Sequence, residues 1–238
     1  MSIGDAEIKT QERVIRFFKD PEILGYQYIG NLSDHQNKNI KEDRLRQYLR
    51  LKGYADKLVD TAVMQLQQEA GNLSRGVYDA NKTVYSRLKY GIPVSESPEK
   101  PPVTVELIDE ANPLNNDFAI AEEVTVVEQQ EKRPDLVIYL NGIAVAVIEL
   151  KRSSISVSEG IRQNLTNQKD SFIRGFFTTM QFCMAGNESE GLRYGTLLTG
   201  EKFYMEWKDD GFKEHEGERD PVDVRISETC AGIENKLL

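Results

Sequence analysis

The chain has 238 residues and a formal net charge of −9, with 39% apolar and 29% charged residues. This length suffices for one medium-sized domain with a buried core, and the composition is that of an ordinary globular protein. The negative net charge argues against an autonomous nucleic-acid-binding protein, because such proteins usually carry a strongly basic surface. Bound metal ions can nevertheless reverse the sign of the charge at a local site.

The sequence contains no signal for export or membrane insertion. No apolar run approaches the roughly 18 residues that would suggest a membrane span, and the first residues lack the apolar block of a signal peptide. The two cysteines, Cys183 and Cys230, are far apart and belong to no CxxC or Cys/His cluster, so we expect reduced thiols and no zinc site. These features predict a cytoplasmic protein without a membrane contact.

Residues 1–95 are predicted to form an N-terminal helical part. A short helix would end at Pro21, and a polar, Asn-rich loop follows it. Helical spacing of apolar residues then predicts three amphipathic helices, which end near Gly53, Gly71 and Tyr90. We expect this part to contribute to the same lobe as the sheet that follows it.

Residues 96–210 are predicted to form a sheet with one long helix. Apart from a central hairpin, the predicted elements are strands at 103–109, 117–129 and 176–186, a helix at 156–176, and a closing hairpin within 195–207. The resulting order, α–β–β–β–α–β, predicts an α/β (α+β) fold with a mixed sheet flanked by helices. The polar residues 211–238 are expected to form a tail or linker.

The central hairpin, residues 133–151, combines apolar strands with three charged side chains. Its two strands are joined by an Asn-Gly dipeptide, which is typical of a tight type I′ turn. Asp135 begins the first strand, whereas Glu149 and Lys151 end the second and point to the same face because strand side chains alternate. The turn therefore predicts that all three charged groups meet at one end of the hairpin.

Two interpretations explain charged groups in an otherwise apolar hairpin. In the first, Lys151 or Arg152 forms an ion pair with Asp135 or Glu149, which offsets the cost of removing a carboxylate from water. In the second, the two carboxylates and the backbone carbonyl of Leu150 form part of a Mg²⁺ shell, because this ion prefers oxygen ligands together with water and phosphate. The residues alone leave both interpretations open.

The hairpin resembles the PD-(D/E)xK nuclease motif, since Pro134-Asp135 is followed after thirteen residues by Glu149-Leu150-Lys151. Longer segments are similar to the N-terminal nuclease region of the R (HsdR) subunit of type I restriction enzymes. They are YDANKTVYSRLKYG, NNDFAIAEEVTV, RPDLVIYLNG, VIELKRS, SVSEGIRQNLTNQK, MAGNESEGLRYGT and EKFYMEW. The resemblance covers roughly residues 25–210 and implies a restriction-endonuclease-like core at 96–210.

The resemblance also implies an activity and its residues. Asp135 and Glu149 match the metal-binding carboxylates of the family, and Lys151 matches the catalytic lysine. The implied activity is Mg²⁺-dependent cleavage of double-stranded DNA after ATP-driven translocation, in a complex with methyltransferase (M) and specificity (S) subunits. The sequence has no GxxxxGK[ST] phosphate loop, so ATP would act on motor domains outside these residues, and we interpret the chain as the N-terminal portion of such a subunit.

Two further residues match the family's motifs only in part. Glu42 is the best match for an upstream acidic metal ligand, with Asp43 as its rival, but Glu42 also fits a capping box that Asn39 would begin. Gln163 matches the first residue of a QxxxY motif, whose tyrosine position holds Asn167 here. Gln163 is therefore predicted either to contact the site or the DNA backbone, or to be a solvated helix residue.

Basic residues near the hairpin could face DNA phosphates. The candidates are Arg133, Lys151, Arg152, Arg162 and Lys169. A second hypothesis for the function is a non-catalytic interaction domain with the nuclease fold, which docks onto a motor or methyltransferase partner and uses the charged groups as an ion-pair cluster. A third, a repair or Holliday-junction nuclease on the same fold, is opposed by the extended similarity to the R subunit.

Overall fold

The computed structural model describes residues 3–95 and 99–206, so the predicted tail at 211–238 and Cys230 lie outside the described residues. The helices are α1 (Ile3–Lys19), α2 (Glu42–Leu51), α3 (Asp56–Gly71), α4 (Val77–Tyr90) and α5 (Val157–Asn167). The strands are β1 (Gln27–Asn31), β2 (Ile92–Val94), β3 (Val103–Val105), β4 (Phe118–Glu122), β5 (Val126–Val127), β6 (Glu131–Lys132), β7 (Leu136–Leu140), β8 (Ile143–Leu150), β9 (Phe182–Asn187), β10 (Gly191–Gly195) and β11 (Met205–Glu206). No helix within these ranges is long and apolar enough to cross a membrane.

A mixed seven-stranded sheet forms the centre of the fold, with the strand order β1-β4-β7-β8-β9-β10-β11. The strands β4, β7 and β8 form an antiparallel meander, and α5 then leads to β9, which pairs parallel to β8. This is the predicted α–β–β–β–α–β order, and the predicted mixed sheet flanked by helices is confirmed. Two small hairpins, β2–β3 and β5–β6, lie outside the main sheet.

The two faces of the sheet bury separate cores. On the first face, the apolar sides of α1 to α4 pack against Leu136, Ile138 and Ile148 of the central strands. On the second face, Val137 and Val147 pack with a 3₁₀ segment that follows α5. Because both faces are covered, β7 and β8 are apolar almost throughout, as strands buried on both sides are. A charged side chain in either strand is therefore an exception.

The hairpin turn has the predicted type I′ geometry and is buried. Asn141 has a φ of 52° and Gly142 a φ of 84°, and Leu140 pairs directly with Ile143. The Asn141 side chain is fully buried, where its Oδ1 accepts a hydrogen bond from the Asp117 N–H at 2.7 Å. The turn is thus part of the core, not a solvated loop.

A bulge in β8 reverses the alternation of its side chains. Ile138 pairs with Ala146, whereas the next residue, Tyr139, pairs with Ala144, so Val145 is the extra residue. The bulge lies before Glu149, which follows Val147 onto the second face of the sheet. Beyond the bulge the side chains of β8 alternate regularly as far as Leu150.

Several predicted element boundaries were wrong. The helix predicted over 156–176 ends at Asn167, and 174–179 forms a 3₁₀ segment instead of the start of a strand. Phe176 and Phe177 fill the second core from these tight turns, which explains why their apolar spacing resembles both a helix and a buried strand. The closing hairpin uses β10 at 191–195, before the predicted first strand, and β1 was not predicted.

Candidate metal-dependent active site

The meander brings Asp135 and Glu149 to one end of the sheet. Leu136 pairs with Ile148, so the residue before β7 lies beside the end of β8. The Asp135 Oδ2 accepts a hydrogen bond from the backbone N–H of Leu150 at 2.6 Å. The carboxylate of the first strand is therefore fixed onto the backbone of the second, next to Glu149.

Glu149 is a fully buried carboxyl group with an incomplete set of partners. Its Oε2 accepts a hydrogen bond from Gln163 Nε2 at 2.6 Å, whereas its Oε1 is buried with no hydrogen-bond partner within the described residues. Burial and the neighbouring charge of Asp135 raise the pKa of Glu149 well above its usual range, against the opposing charge of Lys151. Such an orphaned oxygen is rare in protein interiors and is a candidate for a bound cation.

Helix α5 covers Glu149 and supplies Gln163. The helix approaches the sheet at Gly160, where a Cβ would lie 3.0 Å from the Ala185 side chain and 3.4 Å from the backbone oxygen of Glu149. Its first turn is held by the Ser156 hydroxyl, which accepts from the Ser158 N–H at 3.3 Å. The predicted contact of Gln163 with the site is therefore present in the structure.

Lys151 holds its ammonium group at the same end of β8. Its Nζ donates a hydrogen bond to the carbonyl oxygen of Leu150 at 2.9 Å, and its backbone N–H donates to Gly186 at 2.9 Å. The side chain is half-buried, as is that of the following residue, Arg152. The charge of this side chain thus acts on the buried carboxyl group of Glu149.

A second acidic pair, which the sequence interpretation missed, lies at the end of β4. Glu123 has a φ of 51°, which is uncommon outside glycine, and its N–H donates to the backbone oxygen of Asp135 at 2.8 Å. Gln11 of α1 donates to Glu122 at 3.0 Å and to Glu123 at 3.3 Å. The charge of Glu123 also raises the pKa of Glu149. The sequence feature that could have predicted this pair is the occurrence of two adjacent glutamates at the end of an apolar strand.

The structure places Glu42 at the other end of the hairpin. Helix α2 begins beside the turn, where the Lys41 N–H donates to the oxygen of Gly142 at 2.7 Å. Seven strand residues separate this turn from Glu149, a distance of about 23 Å. Glu42 accepts hydrogen bonds from Arg46 at 2.7 Å and Gln67 at 3.0 Å. It therefore does not join the carboxylates of the site in this arrangement.

The capping box predicted at Asn39 is also wrong. The cap residue of α2 is Lys41, without a side-chain hydrogen bond to the helix. The Asn39 side chain instead donates to the oxygen of Gly175 at 3.1 Å and to the hydroxyl of Thr178 at 2.9 Å. A long-range contact has replaced the local one. Asp43, the rival of Glu42, lies in the same first turn of α2.

Two of the predicted DNA-facing arginines are engaged with acids. Arg133 pairs with Glu123 at 2.7 Å, and Arg162 pairs with Glu159 and Glu201 at 2.8 Å each. Lys169 is exposed just beyond α5. Of the basic candidates, Lys151 and Arg152 lie nearest the carboxyl groups along the chain.

The site residues fit a partly hydrated Mg²⁺ ion. No three His, Cys, Asp or Glu side chains within 3–95 and 99–206 converge closely enough to hold an ion alone. Asp135, Glu149 and the Leu150 carbonyl offer a two-carboxylate partial shell, and Mg²⁺ commonly completes such a shell with water and phosphate oxygens. The orphaned Oε1 of Glu149 is the observation that favours a cation here.

Replacing Glu149 by glutamine is expected to stabilise the metal-free protein by about 1–2 kcal/mol. Glutamine keeps the shape of the side chain and the contact with Gln163, and its neutral amide avoids the cost of a buried charge next to Asp135, the same cost that raises the pKa of Glu149. The free energy of unfolding in denaturant, measured in the presence of a chelator, tests this expectation.

The matched control for this prediction is Glu69→Gln. The carboxylate of Glu69 accepts two hydrogen bonds from Arg87, at 2.8 and 2.7 Å, so its neutralisation is expected to destabilise the protein. Opposite signs for the two substitutions are the expected result. A loss of stability in both variants would mean that Glu149 is an ordinary satisfied residue.

Comparisons with known proteins identify the family to which most of the chain is similar. The model of one family, described as type I restriction enzyme R protein N terminus, matches residues 7–203. A protein of Methanocaldococcus jannaschii named as a type I restriction enzyme endonuclease subunit is 33% identical over 97 residues, which are 37% of this chain and 9% of that protein. Type I restriction enzyme endonuclease subunits of Staphylococcus saprophyticus and Staphylococcus aureus are 29% and 27% identical over 112 and 111 residues, or 45% of this chain and 12% of each relative. The chain thus spans about a tenth of the length of these relatives.

Proposed function

The chain belongs to the family of type I restriction enzyme R protein N termini, and on that premise we propose that it is the endonuclease region of an R subunit. The proposed reaction is Mg²⁺-dependent hydrolysis of phosphodiester bonds in double-stranded DNA. The buried carboxyl group of Glu149, with one oxygen on Gln163 and the other without a partner in the described residues, is the observation that supports it most strongly.

Each residue of the site has a proposed role. Asp135 and Glu149 would hold the ion, and Gln163 would position the Glu149 carboxylate through its hydrogen bond to Oε2, which leaves Oε1 for the ion. Lys151 would orient the attacking water or stabilise charge on the phosphate, since its ammonium group already lies at the Leu150 carbonyl. When bound, the ion would supply Lewis-acid activation of water and neutralise charge that develops on the phosphate.

The remaining parts of the reaction belong to a larger assembly. Translocation along DNA needs ATP and motor domains, and recognition of a DNA sequence needs partner subunits. We propose that methyltransferase and specificity subunits deliver the DNA, because the net charge of −9 gives this chain few phosphate contacts of its own. Isolated cleavage activity is accordingly expected to be weak.

Calorimetric titration of Mn²⁺ or Mg²⁺ into the chain tests the proposed site. The wild-type chain is expected to bind the ion with measurable heat, and Glu149→Gln is expected to abolish that heat because the ion loses one of its two carboxylate ligands. Lys151→Ala should bind at least as well as the wild type, since it removes a competing positive charge.

Glu42→Gln is the matched control, because Glu42 is an acid of the same type on α2, which begins beside the turn at the other end of the hairpin. It is expected to bind the ion like the wild type. Loss of the heat in Glu42→Gln would restore this residue as a ligand and contradict the described arrangement. No ion binding by the wild type, under conditions where the chain is folded, would favour a non-catalytic docking role.

A further inference from the structure

Glu123 follows the end of β4 in a backbone conformation that a glutamate rarely adopts. Its φ of 51° lies in the left-handed region, which glycine and asparagine enter at a lower cost than glutamate does. Asn141, which shares this conformation, is accounted for by the type I′ turn. The turn at Glu123 could be made with less strain by glycine or asparagine, so the fold alone does not account for a glutamate. A strained residue beside a candidate site indicates a functional constraint.

The backbone of Glu123 fixes the position of Asp135. The Glu123 N–H donates to the carbonyl oxygen of Asp135 at 2.8 Å, and the N–H of the next residue, Val124, donates to Pro134 at 3.0 Å. The Asp135 side chain in turn accepts from the N–H of Leu150 at 2.6 Å. The strained residue is therefore one hydrogen bond away from a proposed ion ligand.

The carboxylate of Glu123 is largely enclosed and is oriented from two sides. Gln11, which is itself only 8% exposed, donates to one oxygen at 3.3 Å, and Arg133 approaches the other at 2.7 Å. The side chain of Arg133 is 55% exposed, whereas that of Glu123 is 26% exposed. Because an ion pair with so exposed an arginine contributes little stability, it offsets only part of the cost of the strained backbone.

The charges around Glu149 favour an additional cation. Burial raises the pKa of Glu149 most, the charges of Asp135 and Glu123 raise it further, and the charge of Lys151 lowers it. Two acids thus act on this carboxyl group against one ammonium group, and its Oε1 is buried without a hydrogen-bond partner among the described residues. A divalent cation would reverse the effect of both acids, since it attracts all three carboxylates.

We propose that Glu123 is a positioning residue of the ion site, which strengthens cation binding by Asp135 and Glu149 through the charge of its carboxylate and through its hydrogen bond to Asp135. Direct ligation is not part of its role, because no three His, Cys, Asp or Glu side chains of the described residues converge closely enough to hold an ion. Mg²⁺ usually keeps several waters, from which a carboxylate beyond direct contact can accept hydrogen bonds. The inference rests on the proposed nuclease function and adds a residue that the matched motifs do not contain.

Calorimetric titration of Mn²⁺ into Glu123→Asn and Glu123→Asp, without DNA, tests the role of the charge. Asparagine and aspartate have the same shape, and both adopt the left-handed conformation more readily than glutamate, so the pair differs chiefly in charge. Glu123→Asn should weaken Mn²⁺ binding about tenfold or more, as the loss of an outer carboxylate does at metal sites. Glu123→Asp should restore most of this affinity.

Arg133→Gln separates the proposed role from a structural one. If Glu123 served only its ion pair with Arg133, loss of either partner would disturb the site equally. In the proposed role Arg133 competes with the ion for the charge of Glu123, so Arg133→Gln should bind Mn²⁺ at least as tightly as the wild type. Weaker binding by Glu123→Asn together with undiminished binding by Arg133→Gln is the expected pattern.

Glu122→Gln is the matched control on the same strand. Glu122 also accepts a hydrogen bond from Gln11, at 3.0 Å, but it pairs with Leu136 and therefore lies on the first face of the sheet. There the hydroxyl group of Tyr28 donates to it at 2.6 Å. Because Glu149 lies on the opposite face, Glu122→Gln should bind Mn²⁺ like the wild type.

The rise in Tm on addition of Mn²⁺ is a second measure of binding. Each variant is compared with its own Tm in a chelator, so that a general loss of stability cancels. Wild-type affinity in Glu123→Asn, or equal losses in Glu123→Asn, Glu123→Asp and Arg133→Gln, would overturn this inference alone. Absence of binding by the folded wild-type chain would instead contradict the proposed nuclease site, and this inference with it.

Discussion

An assembled restriction enzyme whose R subunit carries Lys151→Ala is expected to cleave DNA at least about 1000-fold more slowly than the wild-type enzyme. The substitution removes the ammonium group that lies on the Leu150 carbonyl, at the end of the sheet that also holds Asp135 and Glu149. Asp135→Ala and Glu149→Ala should be equally severe, because they remove the proposed ion. Cleavage of a circular DNA with one recognition site measures all three.

Arg152→Ala is the matched control for Lys151→Ala. Arg152 is the next residue, is also cationic and is also half-buried, and strand alternation continued past the end of β8 at Leu150 would direct it away from the face that holds Glu149. We expect this variant to cleave within about tenfold of the wild type. ATP hydrolysis should be normal in every variant, because the proposal assigns it to motor domains outside these residues.

The catalytic proposal would be contradicted if all three variants cleaved DNA at the wild-type rate. These variants are Asp135→Ala, Glu149→Ala and Lys151→Ala. The nuclease fold would then serve as a docking domain, and the charged groups would form a structural cluster. Ion binding to the isolated chain separates these cases further. A Lys151→Ala chain that binds Mn²⁺ normally, in an enzyme that does not cleave, would assign the lysine to the chemical step.

The centre of the site could be predicted from the sequence because its determinants are local. The Asn141-Gly142 turn begins the pairing of the two strands, and the bulge at Val145, which was not predicted, shifts that pairing by one residue so that Leu136 pairs with Ile148 at the far end. The contact between Gln163 and Glu149 depended on the resemblance to a known motif, since nothing in the composition of α5 distinguishes this glutamine from a solvated one.

Residues brought in by distant elements could not be predicted in the same way. Gln11 donates hydrogen bonds to Glu122 and Glu123 from a helix more than a hundred residues earlier in the chain, and no local sequence pattern predicts this contact. The position of Glu42 could not be predicted for the corresponding reason. A glutamate at the start of a helix has the same local sequence whether that helix begins at the end of the sheet that holds Glu149 or, as here, at the hairpin turn.

The boundaries of α5 show how packing changes a correct local pattern. The residues from 156 to 176 have continuous helical spacing, yet the helix ends at Asn167, whose carbonyl accepts from the Ile173 N–H at 3.2 Å. Ending the helix there lets Phe176 and Phe177 enter the second core from a 3₁₀ segment. Burial of two phenylalanine side chains, worth several kcal/mol, exceeds the gain from two further helical turns.

Helix α2 packs closely on the hairpin turn. We therefore expect Gly142→Ala to lower the free energy of unfolding by about 3–4 kcal/mol. A Cβ at this position would lie 2.7 Å from the backbone oxygen of Lys41 and 2.8 Å from the backbone nitrogen of Leu45. Because these are backbone atoms of the first turn of α2, no side-chain rotation can relieve the contact. Either the helix or the turn must move.

Gly53→Ala separates this steric cost from the cost of the backbone conformation. Gly53 has a φ of 89°, close to the 84° of Gly142, but a Cβ there has nothing within 4 Å. Its substitution should cost only about 1–2 kcal/mol, the strain of a left-handed conformation. Equal losses for the two variants in denaturant titrations would mean that α2 does not press on the turn. A larger loss for Gly142→Ala is the expected result, because only the Cβ at this position would meet the backbone of α2, and it would show that close packing of the helix restricts the turn to glycine.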